Sequence, residues 1–182
     1  MKQNPDKRNR LLRRTMLSAL VLLTAMAQFV PWLPVIYGAR AFPLLMLIAA
    51  IAYYDQAVAA VLYGALAGIL WDINAPYGTY HAIFLAIAAF LCAMGVRYFF
   101  NRNKVTKVLI PVAVATAYVF LRWFLNTLAM PNITFTQTTP LILRETLPSL
   151  GYTLLLAPLM FTLVSLIVRR TSRRQQRIVG EE

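Results

Sequence analysis

The sequence predicts an all-α membrane protein, a bundle of six transmembrane helices. Three observations lead there. The 182 residues are 60% hydrophobic and only 13% charged, with a mean hydropathy of +0.63, where a soluble domain carries about 25% charged residues. The charges that exist punctuate long apolar runs instead of dotting them. Fifteen of the 18 basic residues fall into three clusters, at 2–14, 97–107 and 169–177, which is the spacing of membrane spans and their flanks.

The first run, Thr15–Ala39, predicts a helix over about 15–33. It ends at Pro31-Trp32-Leu33-Pro34, an interfacial tryptophan between two prolines that cannot continue a helix. A basic stretch, an apolar stretch and Ala25-Met26-Ala27 imitate a signal peptide, but the apolar run is too long for one and further spans follow, so the helix reads as uncleaved. Ala41–Tyr54 and Gln56–Trp71 are shorter than the roughly 17–25 residues of a span. They form either one re-entrant pair or two short or tilted spans, and Tyr53 and Tyr54 beside Asp55, as an interfacial anchor, favour two spans, 41–54 and 56–72. Ile73–Val96 predicts a fourth helix over 79–99, after Pro76 and Gly78 turn the chain. The fifth covers 108–128 with Arg122 inside it, and the sixth covers 146–168. Residues 1–14 and 169–182 remain as basic cytoplasmic arms around a single transmembrane domain, 15–168, suited to anionic lipid.

Cationic loops stay in the cytoplasm. With both termini inside, six spans also place the 101–107 hinge inside, so all three basic clusters share one side. The net charge of +12 is therefore a topological signal and not a nucleic-acid surface, whose basic groups would spread over one folded face.

The chemistry-bearing residues are few. A single cysteine, Cys92, and a single histidine, His81, exclude a disulfide framework and every metal motif that needs two of either, so no metal site and no cofactor is expected. No serine, cysteine or second acid stands where it could pair with His81 as nucleophile and base, so no catalytic residue is assigned. Ala60, Gly64, Gly68 and Asp72 recur every four residues and form one stripe down the third helix. Small residues at that spacing admit a second helix to backbone contact. That helix is either a neighbour in this chain or one from a partner.

Asp72 opposes the dipole at its own helix's C-terminus and needs another reason to be there. One reason is capping the next helix, whose first N–H groups lie near Thr79–His81. The other is a cation. Arg122 lies about 21 Å along the fifth helix, in the outer half of a roughly 30 Å core, where a charge costs about 2.5–3.5 kcal/mol and usually faces the bundle interior. An Asp72–Arg122 pair with His81 nearby is the expectation. Arg122 snorkelling outward beside Trp123 is its rival.

The run Gly64-Ala65-Leu66-Ala67-Gly68-Ile69-Leu70-Trp71-Asp72, followed by Gly78 and a new apolar helix, resembles the MreD family of small inner-membrane, rod-shape-determining proteins of bacteria. Five residues separate Asp72 from Gly78, fewer than the family pattern carries. The resemblance implies a fold similar to the six-helix substrate-binding subunit of energy-coupling-factor vitamin transporters. It also implies a non-enzymatic scaffold that binds the single-span protein MreC in the elongation machinery, alongside MreB, RodZ, RodA and a class B penicillin-binding protein. Gly64, Gly68, Asp72 and Gly78 are the positions that carry the match. The alternative is a substrate-binding membrane subunit of a vitamin or small-molecule transporter, with Asp72, Asn74, His81, Arg122, Asn126 and Glu145 as the polar groups of an outer pocket.

Reporter fusions at Asn103 and at each terminus should all report the cytoplasmic side. A hinge found opposite both termini would refute the six-span topology.

Overall fold

In the computed structural model, residues 5–29, 40–74, 80–100, 103–129 and 135–179 are described, and their regular structure is entirely helical. The order is α1 (Pro5–Phe29), α2 (Pro43–Tyr54), α3 (Ala57–Asn74), α4 (His81–Tyr98), α5 (Lys104–Ala129) and α6 (Phe135–Val179). Four segments are long and apolar enough to cross a membrane: Ala57–Asn74, His81–Tyr98, Val105–Leu125 and Leu147–Thr171. The protein is thus all-α and of the multi-pass membrane type.

Two helices reach beyond the expectation. α1 begins at Pro5, so residues 5–14 of the basic arm are helical. Proline suits a first turn, and no glycine or further proline interrupts the chain before Phe29. α6 runs 45 residues and takes in both the segment from Phe135 and the basic tail to Val179. Arginine and glutamine favour helix, and no glycine follows Gly151 until Gly180. The turn at Pro31–Pro34 and Gly78 lie outside the described residues.

α2 is twelve residues long, about 18 Å, well short of a roughly 30 Å hydrocarbon core. It is buried from Pro43 through Tyr53 and touches all five other helices. A helix apolar all round is a core element, so α2 is the axis of the fold. Its ends are closed by its neighbours. The Leu44 N–H donates to Gln28 Oε1 of α1 at 3.3 Å, and the Phe42 N–H donates to Thr153 Oγ1 of α6 at 3.0 Å. Just upstream, the Arg40 N–H donates to Ser149 Oγ at 3.2 Å. At the other end, Arg13 of α1 donates to the Tyr54 carbonyl at 3.4 Å and forms a 3.1 Å salt bridge with Asp55. A cation at a helix C-terminus also complements the dipole.

These contacts order the bundle end to end. Arg13, Asp55 and Tyr54 gather at one end, where Tyr53 Oη reaches the Asn103 carbonyl at 3.5 Å and Lys107 lies over both tyrosine rings. Phe42, Trp71, His81 and Tyr118 gather at the other.

The closest helix pair is α3 with α4. A Cβ on Gly64 would stand 2.5 Å from the Leu85 carbonyl oxygen, and one on Gly68 would overlap the Ala82 Cα. Both obstacles are backbone, so neither can yield by a side-chain rotation. Ala60 and Ala67 are fully buried on the same helix. Gly68→Ala should therefore lower stability by about 1–3 kcal/mol, measured as heat-induced loss of the monodisperse peak in detergent. Gly151→Ala, where nothing lies within 4 Å of the new methyl, should be neutral or stabilising by up to about 1 kcal/mol.

Candidate functional site

The expected site residues converge at the end of the α3–α4 hairpin. Asp72 sits in the last turn of α3, and its two carboxylate oxygens point across to the start of α4. The His81 N–H donates to Oδ1 at 3.0 Å, and the Ala82 N–H donates to Oδ2 at 2.9 Å. The His81 ring adds a third contact, Nδ1 to Oδ1 at 2.8 Å. An α-helix leaves its first N–H groups without internal acceptors, and its N-terminus favours an anion. Asp72 answers both needs from outside the helix it caps, a charge-assisted arrangement stronger than a neutral one.

His81 is 4% exposed and lies between two rings. Trp71 stacks on one side at 4.5 Å between centroids with 10° between planes, and Tyr80 stacks at 4.3 Å and 24°. The Asp72 contact fixes a proton on Nδ1. Nε2 then faces the Tyr118 hydroxyl at 3.4 Å. Phe42 closes the cluster, packing on Trp71 at 5.4 Å and on the Tyr118 ring at 5.4 Å. The start of α2, the end of α3, the start of α4 and the middle of α5 are thus pinned at one point.

The expected Asp72–Arg122 pair is not formed. Among the described residues, the Asp72 carboxylate contacts the His81 ring at 2.8 Å, and Arg13–Asp55 is a salt bridge. The physical reason is that the backbone donors of α4 and the His81 ring already occupy the carboxylate. Arg122 is half-buried on α5, one turn beyond Tyr118, with its charge near the same cluster. Of the seam residues, Ala60, Gly64, Gly68 and Asp72 all lie on the α3 face turned to α4, so the neighbour they admit belongs to this chain.

For the outer-pocket reading, Asn74 is exposed and donates Nδ2 to the Leu70 carbonyl at 2.9 Å. The Asn126 and Glu145 side chains fall outside the described residues. Cys92 is a half-buried free thiol on α4. No group of three or more His, Cys, Asp or Glu side chains suited to a metal occurs among the described residues.

The residues that sequence reasoning passed over are aromatic. Trp71 and Tyr80 were legible as neighbours of Asp72 and His81. Tyr118 stands four residues before Arg122, on the same face of α5. Comparison with protein families, curated proteins and solved structures finds no match to this chain.

Asp72→Ala leaves three donors of α4 without an acceptor and should cost roughly 2–4 kcal/mol. Asp72→Asn keeps one acceptor oxygen and should cost less. Arg122→Ala should change stability by under about 1 kcal/mol. Thermal denaturation of the three variants in detergent checks the order; equal losses for Asp72→Ala and Arg122→Ala would return Arg122 to the pair.

Proposed function

We propose that this protein is a non-enzymatic membrane scaffold of the MreD type, which maintains rod shape by binding an MreC-like single-span partner within the lateral peptidoglycan-synthesis machinery of the bacterial inner membrane. The observation that carries the reading is the use made of Asp72. In the run from Gly64 to Asp72, both glycines and the carboxylate serve to lock α3 to α4. A motif used in this way builds a rigid hairpin. A reaction centre or ligand pocket would instead leave polar atoms directed at a vacancy.

The proposed bundle has six spans, with α1 and α2 completing the four membrane-length helices and both termini in the cytoplasm. It is similar in plan to the substrate-binding subunit of energy-coupling-factor transporters. Support comes from the grouping of Arg13, Arg97, Lys107 and Arg169 around the Tyr54–Asp55 turn, at one end of the bundle, as positive-inside topology requires. With the glycine face closed by α4, the partner's helix would meet the outward stripe of α3: Val58, Leu62, Leu66, Ile69 and Ile73, all exposed and apolar. MreB, RodZ, RodA and a class B penicillin-binding protein would join directly or through that partner.

Co-expression with a single-span, coiled-coil, outward-facing partner should yield a stoichiometric complex in detergent. Leu62→Ala with Ile69→Ala should weaken it about tenfold without lowering the melting temperature of the scaffold alone. Failure to co-purify, together with a stoichiometric vitamin retained by the isolated chain, would replace the scaffold with the transporter subunit.

A further inference from the structure

At the end of the bundle opposite Asp72, α5 and α6 part to leave a groove of about 570 Å³, within the roughly 300–1,000 Å³ of small-molecule sites. Its walls are apolar, with Val112 on α5 and Leu154, Ala157 and Phe161 on α6. Its mouth carries two cations, Lys107 and Arg169. Prolines stand on both walls, Pro111 and Pro158. Each removes the amide that would bond the carbonyl one turn earlier, at Lys107 and at Leu154.

The Lys107 ammonium is held at 5.9 Å from the Tyr53 ring centre and 5.8 Å from that of Tyr54. Ring faces orient a cation and leave its charge in place. Among the described residues, the Asp55 carboxylate is engaged by Arg13 and the Asp72 carboxylate by the His81 ring and the start of α4. Arg169 is exposed near the end of the apolar part of α6. An apolar cleft between two membrane-length helices, with two cations at the rim that pair with no described carboxylate, matches an acyl chain that ends in a phosphate.

We propose that the α5–α6 groove binds an anionic phospholipid, with an acyl chain along Val112, Leu154 and Ala157 and the phosphate between the Lys107 ammonium and the Arg169 guanidinium. Basic pockets between membrane helices on the cytoplasmic side suit such headgroups. A zwitterionic lipid would bring its own cation to the rim. An apolar partner helix would leave both charges unmatched. The site is separate from the Asp72 cluster and from the outward stripe of α3, so it stands whether or not the scaffold reading does.

The test is native mass spectrometry of the full chain in detergent, with phosphatidylglycerol or phosphatidylcholine added. Phosphatidylglycerol should be retained preferentially. Lys107→Ala with Arg169→Ala should reduce its retention about tenfold, to the level of phosphatidylcholine. Arg8→Ala with Arg10→Ala, two exposed positions on the basic arm, should leave the preference intact. A preference that survives the groove variant, or falls equally with the arm variant, overturns the proposal, as does displacement of the lipid by inorganic phosphate. A photo-crosslinking residue at Val112 in the otherwise unaltered chain, activated in native membranes, should give a lipid adduct. A protein adduct, or none, would overturn the site.

Discussion

α2 imposes the constraint from which the rest of the bundle follows. A twelve-residue helix buried among five others has polar peptide groups at both ends, and these find partners in the protein. The partners come from the first and the last helix of the chain. Gln28 of α1 and Thr153 of α6 accept N–H groups at one end, and Arg13 of α1 holds the carbonyl and carboxylate at the other. Each of these bonds also fixes the height of α1 or α6 against α2. The apolar surface of α2 alone could not do so, because in hydrocarbon one apolar contact is much like another and sliding costs little.

The α3–α4 hairpin uses a different device for the same problem. Gly64 and Gly68 let the backbones meet, which gains dispersion contacts that lipid cannot match. Glycine contacts alone would permit a shift of one turn. Asp72 removes that freedom, since its two oxygens fit the N–H groups of His81 and Ala82 in only one register. The His81 ring then carries the register inward. It lies between Trp71 and Tyr80 and faces Tyr118, so the hairpin is keyed to α5 and, through Phe42, to α2.

Most of this fold class was legible, because charge placement and hydropathy are properties of segments. The apolar part of each helix falls within a predicted run, and helix-end chemistry offered capping as one of two roles for Asp72. What could not be read were choices between partners. Asp72 had two plausible suitors, and Arg122 looked the stronger because its burial cost is large. The local donors prevailed because α4 presents them across a short turn, with little chain entropy left to lose. Arg13 was hidden for the opposite reason. Within a cluster of six basic residues nothing marks the one that turns inward, since its partners Tyr54 and Asp55 lie some forty residues away. The helical arms escaped notice because net charge dominates their composition, although their residues favour helix.

Polar side chains in a membrane bundle divide by whether their bonds are closed. Asp72, His81, Gln28, Thr153 and Arg13 are each engaged by the protein, and each engagement joins two helices. Such groups stabilise one arrangement of the helices. Lys107 and Arg169 differ. Their charges meet ring faces and the outside, beside a cleft with an apolar floor. Beside the Arg13–Asp55 link, the bundle stays electrostatically open at Lys107 and Arg169, where a lipid headgroup would supply the matching anion. The α3 stripe proposed for a partner helix is apolar instead, so its charge-free side chains would discriminate by shape and not by field.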